Sequence, residues 1–133
     1  MSILGHRVSS KTIAALAALM VLVALLPAMS SQSVQQEQVT LVARGMAFYL
    51  EGDAHHPNPT VEVRAGEHLR IVLRNQDPGM THDFAVPVLD AAMRPIQWNE
   101  SADVVIDVPT TPGTYEYICR PHRLMMRGTI RVY

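Results

Sequence analysis

Gly113-Thr114-Tyr115-Glu116-Tyr117-Ile118-Cys119-Arg120-Pro121-His122-Arg123-Leu124-Met125-Met126-Arg127-Gly128-Thr129-Ile130-Arg131-Val132 is the stretch on which the fold turns. Tyr115, Tyr117 and Cys119 recur with period 2, which places them on one face of a β-strand. Thr129 to Val132 reads as the returning strand, so Pro121 and His122 fall in the turn between the two. That turn region carries the only cysteine of the chain, a histidine three residues later and two adjacent methionines.

The residues upstream repeat the pattern of short strands. Val39–Ala43, Met46–Leu50 and Thr60–Val63 have β character, and Glu51–Pro59 between them is a loop of Gly, Asp, His, Asn and Pro. In His68–Asn75, Leu69, Ile71 and Leu73 alternate with Arg70 and Arg74, the pattern of a strand with one buried face. His82–Val86 and Asp103–Val108 are further strands, with Pro87–Ala102 irregular between them. Seven or eight short strands with turn signals throughout, and no helical periodicity beyond the N-terminal segment, predict an all-β Greek-key sandwich.

Thiolate, imidazole and thioether are donors that suit copper. A trigonal site of one thiolate needs two imidazoles, and His82, which opens a strand after the Pro78-Gly79 turn, is the second candidate beside His122. Zinc in structural sites takes four strong donors, usually several thiolates, and a single cysteine does not supply them. A two-copper centre bridged by thiolates would need a second cysteine. His55 and His56 lie in a polar loop and read as solvent-exposed, and His68 falls on the Arg70 face of its strand.

The Cys-x-x-His turn followed by Met-x-Gly and a strand resembles the ligand loop of the cupredoxins, the small blue-copper proteins. Cys119-x-Pro121-His122 with the nearby Met126-Arg127-Gly128 is similar to amicyanin and, with a longer loop, to plastocyanin. Asn75-x-Asp77-x-Gly79-Met80-x-His82-Asp83-Phe84 resembles the segment that supplies the first histidine in bacterial relatives. The resemblance spans roughly Val39 to Tyr133. It implies one copper ion, cycling between Cu(I) and Cu(II), held by His82, Cys119, His122 and an axial methionine. It also implies that Asp83, next to the first histidine, ties the two ligand-bearing loops together.

Two methionines compete for the axial place. Counting forward from His122 favours Met125, and counting back from Gly128 favours Met126. A strand fixes its residues by hydrogen-bonded register, whereas a loop absorbs an insertion at little cost, so the count from the strand selects Met126. Leu124 and Pro121 would then form an apolar docking surface around His122, ringed by Arg120, Arg123 and Arg127.

The first thirty residues differ in kind from the rest. His6, Arg7 and Lys11 precede an apolar run, which ends at Pro27-Ala28-Met29-Ser30. A basic start, a short apolar helix and a small-x-small end read as an export signal, residues 1–30, cleaved after Ser30. Uncleaved, residues 12–29 would serve as a membrane anchor, although the run falls short of the ~20 apolar residues a spanning helix prefers. Residues 31–38 read as a flexible linker and residues 39–133 as the copper-binding domain. No cysteine follows the apolar run, so no lipid can be attached there.

Beyond residue 30 the basic residues are nine arginines against twelve acids, a formal charge of −3. That balance gives no footprint for nucleic acid. Asp and Glu are scattered rather than paired, and no general base or nucleophile stands out, which excludes an enzyme reading. The expected function is an exported, periplasmic or otherwise extracytoplasmic, monomeric electron carrier serving redox-protein partners. The second class of function is a copper-delivery module without redox traffic.

Overall fold

The computed structural model describes residues 36–133. The expected signal or anchor, and the first part of the expected linker, lie outside the described residues. Among the described residues nine strands form two mixed sheets: β1 (Gln36–Arg44), β2 (Ala47–Leu50), β3 (Thr60–Val63), β4 (His68–Asn75), β5 (Ala85–Val86), β6 (Ala91–Ala92), β7 (Ser101–Asp107), β8 (Gly113–Ile118) and β9 (Arg127–Val132). One sheet has the order β2-β1-β4-β7 and the other β3-β9-β8-β5-β6. β1 pairs with β4, and β3 with β9, in parallel, while the remaining ladders are antiparallel.

The alternation in the sequence becomes the alternation of the core. Leu69, Ile71 and Leu73 of β4 and Ile106 of β7 face Val61, Val63, Ile130 and Val132 of the other sheet, all nearly or fully buried. Each such side chain contributes about 1.5–3 kcal/mol through burial. Under one end of the sandwich sit three aromatic rings. Phe84 and Tyr117 stack at 5.0 Å, and Phe48 meets their edges at 6.0 and 5.5 Å. The Tyr117 hydroxyl donates to the Pro59 carbonyl at 2.6 Å, so the one polar atom of the trio is satisfied.

Three boundaries differ from expectation. β1 begins at Gln36, three residues before Val39, and takes in the end of the expected 31–38 linker. Gln36, Glu37 and Gln38 pair with His68, Leu69 and Arg70, and a parallel ladder is satisfied by backbone groups whatever the side chains. Met46 is not in a strand but in the turn before β2, with φ 62°. His82 does not open a strand: it makes a single antiparallel bridge with Ile96, and the strand proper is only Ala85–Val86. The irregular 87–102 stretch holds a short 3-10 turn at Pro87–Leu89, strand β6 and the start of β7.

Candidate metal centre

β8 runs out at Ile118 and delivers Cys119 to the buried end of its inward face. Pro121 lacks an N–H and has φ preset near −65°, which suits the first turn of a helix. Arg120–His122 accordingly form one 3-10 turn, and the His122 N–H donates to the Cys119 carbonyl at 3.1 Å. The chain returns with the Met126 N–H on the His122 carbonyl and the Cys119 N–H on the Met126 carbonyl, both at 2.9 Å. Met126 is thus the residue opposite Cys119 in the continued β8–β9 ladder. Its side chain is fully buried, whereas Met125 is 55% and Leu124 85% exposed.

His82 reaches the same point from the other ligand segment. Its backbone N–H and carbonyl are both bonded to Ile96, at 3.1 and 2.8 Å. The Nδ1 atoms of His82 and His122 lie 3.7 and 3.6 Å from Cys119 Sγ, and the two rings are 4.9 Å apart. The three donor atoms lie within 4.8 Å of one another. Late first-row ions bind thiolate at about 2.3 Å and imidazole at about 2.0 Å; opened at about 120°, such bonds put S and N about 3.7 Å apart. The spacing therefore fits one ion held between these three atoms. The donors, one thiolate and two imidazoles with a buried thioether beside them in the chain, fit copper.

The carboxylates around the site divide the work. Asp83 Oδ1 accepts the Arg120 N–H at 2.7 Å, and Oδ2 accepts Arg120 Nε at 2.6 Å, so this side chain ties the His82 segment to the Cys119 loop. Asp77 was not singled out from the sequence, yet its Oδ2 lies 2.9 Å from His82 Nε2. A carboxylate that also accepts backbone N–H bonds can only accept from the ring as well, so the proton sits on Nε2 and the Nδ1 lone pair faces the sulfur. Asn75, also buried, holds this turn from within. Its Oδ1 accepts the Asp77 N–H, and its Nδ2 donates to the carbonyls of Met80 and Ile96. The signal for both was present: Asn and Asp two apart before Pro-Gly are residues that bond their own turn.

Burial draws the His82 imidazole below its ordinary pKa, against the opposing pull of Asp77. Burial works on Asp77 in the raising direction, but the N–H bonds from Gly45, Met46 and His82 outweigh it and hold the carboxyl low. Burial pushes the Cys119 thiol up. The metal-free site thus presents a neutral imidazole and a protonated thiol, and metal binding has to displace the thiol proton.

The docking surface is only partly as expected. Pro121, Leu124 and Met125 are exposed around the half-buried His122. The arginine ring is not free: Arg120 turns in to Asp83 and the Met93 carbonyl, and Arg127 pairs with Glu116 across the β8–β9 ladder. Arg123 alone of the three has no ion pair among the described residues. Each carboxylate lies within reach of its arginine by the pairing of the strands and loops, which the sequence does not display.

Residues 15–132 match the cupredoxin-like domain family. The chain belongs to the cupredoxins. No curated protein sequence matches it. Among solved structures, this cupredoxin is similar to auracyanin B, with 24% identity over 77% of this chain and 91% of that one at a TM-score of 0.58. Auracyanin A, a "blue" copper protein from the green photosynthetic bacterium Chloroflexus aurantiacus, gives 18% identity over 74% of this chain and 100% of that one at 0.59. Rusticyanin from Thiobacillus ferrooxidans gives 21% over 74% and 77% at 0.57. At these identities the likeness shows the sandwich fold. The family and the His–Cys–His donor set together support a single copper ion as the cofactor.

Proposed function

We propose that this cupredoxin is an exported electron carrier whose copper is held by His82, Cys119, His122 and, as a weak axial donor, Met126. The observation that carries the reading is the convergence of Cys119 Sγ and the two Nδ1 atoms at 3.6–3.7 Å in a largely buried site. When bound, copper supplies a one-electron change between Cu(I) and Cu(II). The protein's part is to keep the donors where they are in both states. His82 is fixed by two backbone bonds to Ile96 and by Asp77, and Cys119 and Met126 by the ladder between them. The complete burial of Met126 supports it over Met125 as the axial residue.

His122 is the half-buried ligand, and its 3-10 turn carries the exposed Pro121 and leads into Leu124 and Met125. Electrons pass through its ring edge to a redox protein that docks on this apolar face. The chain works as a monomer, outside the cytoplasm, after removal of residues 1–30 or tethered by them. Copper delivery is the competing function, and the buried, doubly anchored donors disfavour it because rapid ligand exchange needs mobile ones. The test is the visible spectrum of the copper(II)-loaded protein. An intense sulfur-to-copper band is expected, lost in Cys119→Ser; a band that survives in that variant refutes the assignment.

A further inference from the structure

Asp77 receives three N–H groups on one carboxylate. The Gly45 N–H donates to Oδ1 at 2.6 Å, the Met46 N–H to Oδ2 at 3.2 Å, and His82 Nε2 lies 2.9 Å from the same Oδ2. Gly45 and Met46 both have positive φ, 56° and 62°. A side chain at φ 62° is strained for methionine, and the carboxylate is what gathers these two N–H groups. An amide at position 77 has one accepting oxygen and an NH₂ that would oppose one of the three donors. The arrangement is therefore built for a charged carboxylate, and Asp77 is buried.

The two buried acids of the site differ in one respect. The charge of Asp83 is matched by the Arg120 guanidinium at 2.6 Å. Among the described residues Asp77 has no arginine partner, only the His82 ring. Its negative charge therefore stands behind His82, little screened by water. A ligand imidazole whose Nε2–H donates to a carboxylate is a more electron-rich donor through Nδ1.

We infer that Asp77 is a positioning residue that holds the reduction potential down, by favouring the oxidised centre through His82. This rests on the copper-carrier reading above. No proton moves: Nε2 keeps its hydrogen in both oxidation states, and the effect is that of a fixed charge on a one-electron change.

The experiment compares wild type with Asp77→Asn and Asp77→Ala in the full chain loaded with copper. Loss of the charge should weaken Cu(II) relative to Cu(I) about tenfold in both variants, a rise of about 59 mV for one electron. The sulfur-to-copper band should persist. Asp77→Ala, which also frees the ring, should lose about 10–100-fold in copper affinity. In the metal-free wild type, ¹⁵N spectra should show the His82 proton on Nε2 alone, and in Asp77→Ala on both nitrogens. Potentials unchanged in both variants overturn the inference. If neither variant folds, the wild-type tautomer decides, and a proton on Nδ1 overturns it. A wild type without the band refutes the copper reading itself, whereas a blue wild type with unmoved variants refutes this inference alone.

Discussion

Gly128→Ala is a one-carbon change outside the proposed ligand set that should nonetheless destabilise the whole domain. Gly128 pairs with Tyr117 in the β8–β9 ladder, and the tyrosine ring lies across it. A Cβ at position 128 would stand 2.2 Å from both Cζ and Oη of Tyr117 and 2.7 Å from Cε1. To reach ordinary contact near 3.5 Å the ring must move by about 1.3 Å. It has no free direction, because Phe84 stacks on it at 5.0 Å and Phe48 meets it at 5.5 Å. Moving the ring breaks the buried Tyr117–Pro59 hydrogen bond, at about 1–3 kcal/mol. The overpacking adds about 1–3 kcal/mol. Together these give about 2–6 kcal/mol, a large part of the ~5–15 kcal/mol that holds a domain folded. For about 100 residues the melting temperature should fall by at least about 8 °C. Urea unfolding of the metal-free protein measures the loss. In a Tyr117→Leu background the same glycine change should cost less than about 1 kcal/mol, so the double-mutant cycle shows a coupling above about 1 kcal/mol. A loss below about 1 kcal/mol for the single variant, or an equal loss in both backgrounds, refutes the argument.

Met126→Leu should leave copper bound but raise the potential and shift the visible bands, while Met125→Leu should do neither; the reverse pattern would show the loop count from His122 to be the right one. Transfer rates to the native partner should change little with ionic strength, because Arg120 and Arg127 are already paired, and a steep fall with salt measured by stopped flow would contradict this. In the metal-free protein, His82 has a folded pKa below its unfolded value of about 6.5, so the unfolded chain binds the proton more tightly. Its contribution to stability is present above about pH 6.5 and lost as pH falls through the folded value; urea midpoints that fall no further in wild type than in His82→Gln between pH 7 and pH 5 would refute it.

Most of the fold was legible because it follows from period 2. The boundaries of β3 and β4 coincide with the alternating runs at 60–63 and 68–75. The donors were legible because a single cysteine in a β-domain, with a histidine three residues on, has few other uses. What was hidden depends on residues distant in sequence. The early start of β1 is imposed by β4, 32 residues away, and the pairing of Arg120 with Asp83 spans 37 positions. Asp77 lay in plain view in its turn, but its partners Gly45, Met46 and His82 come together only in the folded chain. The period of the 82–86 segment suggested a strand throughout, whereas only Ala85–Val86 is one and His82 bonds across to Ile96, a pairing no local pattern encodes.

The inward turn of Arg120 and the pairing of Arg127 leave Arg123 as the one unpaired arginine of the three around His122 among the described residues, so that face carries only weak repulsion toward its own image. Two copies of this chain could then meet through the exposed Leu124 and Met125, which would bring one His122 edge towards the other. An oxidised and a reduced molecule meeting in this way would trade an electron at no driving force. A half-reduced solution would therefore equilibrate between its own molecules, at a rate that climbs with protein concentration and is read from the broadening of nuclear resonances. If the protein is the electron carrier proposed above, the same weakly charged, apolar face would make it fast with any partner of matching shape, leaving selection among partners more to contour than to charge.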